Sequence, residues 1–207
     1  MPASESHAAA ADGSPATPGG QVPADPAASP AAGQEASAAA GHDAATRHGL
    51  MFVLYGSAFA VYLLDRLTKT LVAHNFHEPT TLIPGVLQLK YTENSGGAFG
   101  VFDGAVWLFL VATIVVVGVI IYASFNLPNR IIAVALGLVL AGAIGNLTDR
   151  AVRGTTFFGG HVVDFLAFAK SPTAQPVWPV FNVADSAIVC GAVLILYASI
   201  RKTTHHR

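Results

Sequence analysis

Charge and cysteine are what this sequence has least of. Of its 207 residues 11% are charged, and Cys190 is the only cysteine. One thiol excludes an intrachain disulfide and a multi-cysteine metal cluster. Set in an apolar run, Cys190 reads as a small packing residue and not as a catalytic nucleophile. Eleven Lys and Arg nearly balance twelve Asp and Glu, for a formal net charge of −1. No basic field is present to recruit nucleic acid, and no excess of acid to recruit a cationic partner. Zinc-ligand spacings such as HExxH are missing too. His74, His77 and Glu78 crowd together in HNFHEP, but Pro79 interrupts a helix there, so neither a metal nor a cofactor is expected. Ser95 and Ser186 have no ordered base and acid around them, His161 being the nearest candidate, which argues against a serine mechanism.

What the chain has in excess is apolar surface, 53% of residues, with a mean hydropathy of +0.53. Four long runs carry it, approximately 50–64, 104–125, 131–148 and 183–200. Crossing ~30 Å of hydrocarbon at ~1.5 Å per residue takes about 20 residues, which the second run supplies outright and the others supply with their flanks. Four transmembrane helices are therefore expected. The AFA at 58–60 resembles a signal-peptide cleavage site, but the apolar stretch continues through Val61–Leu64 behind a polar leader of 48 residues, so an uncleaved span is the better reading.

Residues 1–48 are Ala, Pro, Gly, Ser and scattered acids, a composition that predicts a disordered tail. The membrane domain follows at 49–202, with a short basic tail at 203–207. An even number of spans puts both termini on one side. Arg47, Arg130, Arg201, Lys202 and Arg207 flank that side, and Lys69, Lys90, Arg150, Arg153 and Lys170 the other, a tie by the positive-inside rule. If Lys69, Arg150 and Arg153 are held in a site, the balance tips to cytoplasmic termini. Between spans one and two, Val86–Thr92 alternates as a short strand would. Between spans three and four, GGHVVDFLAFAKSPTAQPVWP reads as a short amphipathic piece for the membrane interface.

Polar residues cluster at the predicted membrane edges: Asp65, Lys69, Asn94, Asn146, Asp149, Arg150, Asp164, Asn182 and Asp185. With four spans and cytoplasmic termini all fall at one membrane face. Asp65 and Lys69 are spaced i,i+4, and Asn146–Asp149 and Asn182–Asp185 are spaced i,i+3, so each pair shares a helix face where the segment is helical. Asp65–Lys69 and Asp149–Arg150 read first as charge neutralisation at helix ends. Asp185 by itself reads equally as a helix N-cap or as a functional intramembrane acid. Several carboxylates in low dielectric cannot all ionise, and two that share one proton are the tool of an aspartic hydrolase.

In order along the chain stand DRLTK at 65–69, NSGGAF at 94–99, GNLTDR at 145–150, VVDF at 162–165 and FNVADS at 181–186. With these five blocks on four spans, the chain resembles the lipoprotein signal peptidases (signal peptidase II), membrane aspartic peptidases of bacteria. The resemblance covers about 50–200 and implies an all-α membrane protein of four transmembrane helices, with a small extracytoplasmic β-layer and a short periplasmic helix, which the strand at 86–92 and the piece at 164–170 would supply. It implies that Asp164 and Asp185 are the catalytic dyad, and that Asn182, Asn146 and Arg150 support it and bind the substrate backbone. Asp65, Lys69, Asn94, Gly96 and Asp149 would shape the site. The implied substrate is a diacylglyceryl-modified prolipoprotein, cut before its lipidated cysteine. The implied setting is the bacterial inner membrane: a monomer among membrane lipid, active at the extracytoplasmic face and sensitive to globomycin. The 48-residue tail lies outside the family's usual pattern.

Two other classes use similar materials. A proton-coupled transporter would spread polar residues through the membrane's depth and show an internal repeat, whereas these residues cluster at one face and no repeat is visible. An assembly protein would dock through small-xxx-small faces. Gly137, Ala141 and Gly145 are the candidate stripe, read here as packing among the four helices themselves.

Overall fold

The computed structural model describes residues 30–95, 106–154 and 159–204. The chain divides into two compact units, Met1–Ala40 and Gly41–Arg207, and the spans and the polar cluster lie in the second. Among the described residues, four helices are long and apolar enough to cross a membrane: α1 (Pro30–Asn75), α2 (Val106–Ser124), α3 (Arg130–Val152) and α4 (Val183–Thr204). All four expected spans are present. The spanning part of α1, Ala44–Asn75, continues past the expected end at Leu64 through DRLTK. The apolar-run criterion stops at the first charge, but here the charges are neutralised within the bundle, so the helix need not end.

A second difference lies at the start of α1. Composition predicts disorder through residue 48, yet the helix begins at Pro30. Proline is favoured at a first helical position, where its missing N–H costs nothing, and the alanines that follow are the strongest helix formers. Once a spanning helix exists, extending it needs no new nucleation.

The starts of α3 and α4 have local causes. The Asn129 side chain accepts from Ile132 N at 3.0 Å and caps α3. At α4, Asn182 Oδ1 accepts from Asp185 N (2.9 Å) while Asp185 Oδ2 accepts from Asn182 N (3.1 Å), a reciprocal capping box.

Small residues let the helices approach. A Cβ on Gly137 would meet the Leu54 carbonyl and Ser57 of α1; one on Gly145 would meet Asp65 Oδ2. Gly142 sits against the Ala184 carbonyl and Ile188 of α4, and Gly191 against the Ala135 carbonyl. The Gly137–Ala141–Gly145 stripe is thus internal packing, as the sequence indicates, with Ala141 buried in a core shared by Leu50, Leu54, Ala58 and Leu140. The outward side chains are large and apolar, among them Phe52, Phe59, Ile114, Val119 and Leu196. On a spanning helix such a face meets lipid.

Among the described residues the β-layer is a three-stranded antiparallel sheet in the order β1 (Thr80–Ile83), β2 (Leu87–Asn94), β3 (Val162–Phe168). The expected strand at 86–92 is β2. Its hairpin to β1 turns at Pro84–Gly85, where Gly85 has φ 74° and Val86 N donates to the Ile83 carbonyl at 3.1 Å. The short interfacial helix expected over 164–170 is corrected: that segment is β3. Its β-branched start, Val162–Val163, pairs with Asn94 and Glu93 of β2, and Thr92 pairs with Asp164. Satisfying backbone groups through β2 wins over the weak amphipathic pattern of VVDFLAF. The sheet's apolar side, Leu89, Val163 and Phe165, packs on Val72 of α1. Strand alternation then turns Asp164 to the opposite face, toward α4.

Candidate active site

The two aspartates arrive from different elements, Asp164 from the middle of β3 and Asp185 from the first turn of α4. Asn182, fully buried, joins them. Its Nδ2 donates to Asp164 Oδ1 at 2.7 Å, and its backbone N–H and side-chain oxygen form the capping box with Asp185. The second oxygen of each carboxylate is also held: Asn94 Nδ2 donates to Asp164 Oδ2 at 3.1 Å, and Asn146 Nδ2 to Asp185 Oδ1 at 2.8 Å. Four donors thus fix both carboxylates. Burial, and then the charge of Asp185, pushes the Asp164 carboxyl up to about 7, against the hydrogen bonds of Asn94 and Asn182.

Behind Asp185 lies an ionic layer. Lys69, fully buried on α1, reaches Asp65 Oδ2, Asp149 Oδ2 and Asn146 Oδ1, each at 2.9 Å. An ammonium has three protons and no lone pair, so Asn146 must turn its oxygen to Lys69 and its nitrogen to Asp185. Lys69 therefore sets the amide that orients Asp185. Asp65 extends its other oxygen to Ala184 N at 3.0 Å, tying α1 to the first turn of α4, where the helix dipole favours an anion. Asp149 accepts from Arg66 Nη1 (2.7 Å) and Arg153 Nε (2.9 Å) on one oxygen, and from Val163 N (3.4 Å) on the other.

A cavity of about 470 Å³ opens beside the two carboxylates. Asn94, Asn146, Arg150, Asp164 and Asp185 line its polar end, and Phe109, Val116, Val139 and Ile188 continue it between α2, α3 and α4. The Arg150 guanidinium lies 5.3 Å from the centroid of the Phe109 ring. Its buried Nη1 has no hydrogen-bond partner among the described residues.

Nine of the ten site residues read from the sequence are therefore in one network or on one cavity wall; Gly96 lies outside the described residues. Arg66 and Arg153 were not among them. Arg153 had a signal, its i,i+4 spacing from Asp149. Arg66 had none, since its partner is 83 positions away.

The profile of the family described as Signal peptidase (SPase) II matches residues 57–201. A lipoprotein signal peptidase of Syntrophomonas wolfei is 41% identical over 145 residues, 69% of this chain and 89% of the relative. One of Rhodococcus jostii is 43% identical over 153 residues, 72% of each. Among solved structures, "Bacterial membrane enzyme structure by the in meso method at 2.3 A resolution" superposes with a TM-score of 0.62 at 29% identity, covering 73% of this chain and 89% of that one. The corresponding 1.9 Å structure gives 0.58 at 30% identity, covering 69% and 88%. Four spanning helices together with this family match mark a bacterial membrane enzyme. The chain belongs to the signal peptidase II family, the lipoprotein signal peptidases, and its activity is that of a peptidase. The transporter and assembly readings fall away.

Proposed function

We propose that Asp164 and Asp185 are the catalytic dyad of an endopeptidase that releases the signal peptide of a diacylglyceryl-modified prolipoprotein, cutting just before the lipidated cysteine. The observation that carries this reading is two carboxylates bridged by Asn182 at the mouth of the cavity, each held on both oxygens. Asp185 takes a proton from water as the water oxygen attacks the scissile carbonyl, while protonated Asp164 donates to the carbonyl oxygen. The tetrahedral intermediate collapses as the proton on Asp185 passes to the leaving amine, and Asp164 regains its own. Arg150 Nη1 supplies a donor for a substrate backbone carbonyl, which would satisfy a buried group that has no partner among the described residues.

The protein acts as a monomer. Both termini lie on the cytoplasmic side and the dyad at the extracytoplasmic face. In that frame Lys69 and Arg153 are explained by their carboxylate partners and leave the positive-inside count.

The test uses purified protein in detergent with a lipidated prolipoprotein and its unlipidated counterpart, cleavage being read as a gel shift. Wild type should cut the lipidated form only, and Asp164→Asn and Asp185→Asn should each cut neither, since an amide cannot cycle a proton. Turnover by either variant would remove that residue from the dyad.

A further inference from the structure

The largest side chain on the cavity wall, Trp178, has no part in the dyad chemistry. The segment that carries it is pinned to β3 at both ends. Val177 N donates to the Phe168 carbonyl at 2.8 Å, and Phe181 exchanges backbone hydrogen bonds with Leu166 at 3.0 and 2.8 Å. The rings of Phe168 and Phe181 pack with centroids 5.2 Å apart. Pro176 and Pro179 flank the tryptophan and remove backbone freedom from a bulge that is already short. The indole is therefore displayed at a fixed place. It borders the cavity while 63% of its surface stays exposed, and its N–H makes no hydrogen bond among the described residues.

Below it the cavity becomes a slot. Phe109, Ala112 and Val116 of α2 recur at helical spacing along one wall, facing Val139 of α3 and Ile188 of α4. The seven residue steps from Phe109 to Val116 at ~1.5 Å each make the slot about 10 Å deep, room for several carbons of an acyl chain. An indole at the polar mouth of an apolar slot offers a flat apolar face and one donor, a match for the junction between an acyl chain and its ester.

We infer that Trp178 is a specificity residue for the diacylglyceryl group: its ring covers the first carbons of one acyl chain entering the slot, and its N–H donates to that chain's ester carbonyl. This rests on the substrate proposed above. Trp178 and Trp107 are the chain's two tryptophans, and Trp107 is not on the cavity wall. A general role as an aromatic anchor at the membrane interface would be shared by both.

Two measurements test it. In steady-state cleavage of a lipidated prolipoprotein in detergent, Trp178→Ala should raise KM about tenfold with kcat little changed, Trp178→Phe should fall between, and Trp107→Ala should behave as wild type. In the Trp107→Phe, Asp185→Asn protein Trp178 is the sole tryptophan. A prolipoprotein brominated on its acyl chains should quench its fluorescence, and brominated phospholipid at the same concentration should not. An unchanged KM in Trp178→Ala, a loss confined to kcat, an equal KM shift in Trp107→Ala, or no quenching would each overturn the inference. If wild type fails to cleave, the proposed reaction is what fails, and quenching alone then decides whether Trp178 contacts the acyl chain.

Discussion

Lys69 has three protons and three acceptors, and two of those acceptors are buried carboxylates. Lys69→Met would leave Asp65 and Asp149 without that cation in the bundle. Breaking a buried pair from one side costs about 3–5 kcal/mol, so a fall in unfolding temperature in detergent is expected along with loss of cleavage. Lys69→Arg should not rescue activity, because a planar guanidinium cannot point single protons at three converging oxygens. An active, stable Lys69→Met protein would mean that Asn182, whose Nδ2 also donates to Asn146 Oδ1 at 3.1 Å, is enough to orient the amide that holds Asp185. The carboxyl of Asp164 makes a second residue-scale prediction. Raised from 3.8 to about 7, it keeps its proton in the folded protein while the unfolded chain releases it. Asp164 therefore withdraws stability as pH rises from near 4 to near 7, and no further above that. Asp164→Asn has no such titration, so its unfolding temperature relative to wild type should climb between pH 5 and pH 8. A flat difference would show that burial does not hold this proton. In wild type, kcat/KM should decline on the alkaline side with a midpoint near 7, as the acid partner is lost.

At the scale of elements, α3 and α4 touch through glycine. Gly142 meets the Ala184 carbonyl and Ile188, at the turn of α4 that carries Asp185. Gly142→Leu should push that turn away, costing about 1–3 kcal/mol by overpacking and lowering cleavage more than Gly118→Leu, whose Cβ would meet nothing within 4 Å. Thermal unfolding and kcat/KM of the two variants check this, and equal effects would count against close helix contact. The four spans were legible in the sequence because length and hydropathy decide them locally. The capping box of α4 was legible in part, since Asn182 and Asp185 stand three apart. β3 was not, because its strand character comes from pairing with β2, some 70 residues earlier, and pairing leaves little local mark beyond two valines. The same reason hid Arg66. Its charge sits beside Asp65 in sequence, but its function is set by Asp149 across the bundle. The site residues that were legible came mainly from the five sequence blocks, and the spacing rules added only which of them share a face.

For the whole molecule the question is how much chain the reaction needs. The polar network around the proposed dyad begins at Asp65, and the core that holds α1 to its neighbours begins at Leu50 and Leu54. The family profile matches from residue 57, a few positions beyond those leucines. We expect deletion of residues 2–46 to leave kcat/KM within about twofold of wild type, because the core among the described residues begins beyond it, at Leu50. Deletion of residues 2–56 should behave differently. It removes Leu50 and Leu54, and with Leu54 one of the α1 residues against which Gly137 of α3 is packed. Losing two buried leucines costs several kcal/mol, at about 2–5 each, so this protein should unfold at lower temperature even where it still inserts. The contrast between the two deletions separates a tail that is dispensable for chemistry from a helix start that is not. If the shorter deletion inserts normally and is inactive, the Ala-rich segment contributes to the reaction directly, and the catalytic unit must be drawn to include it.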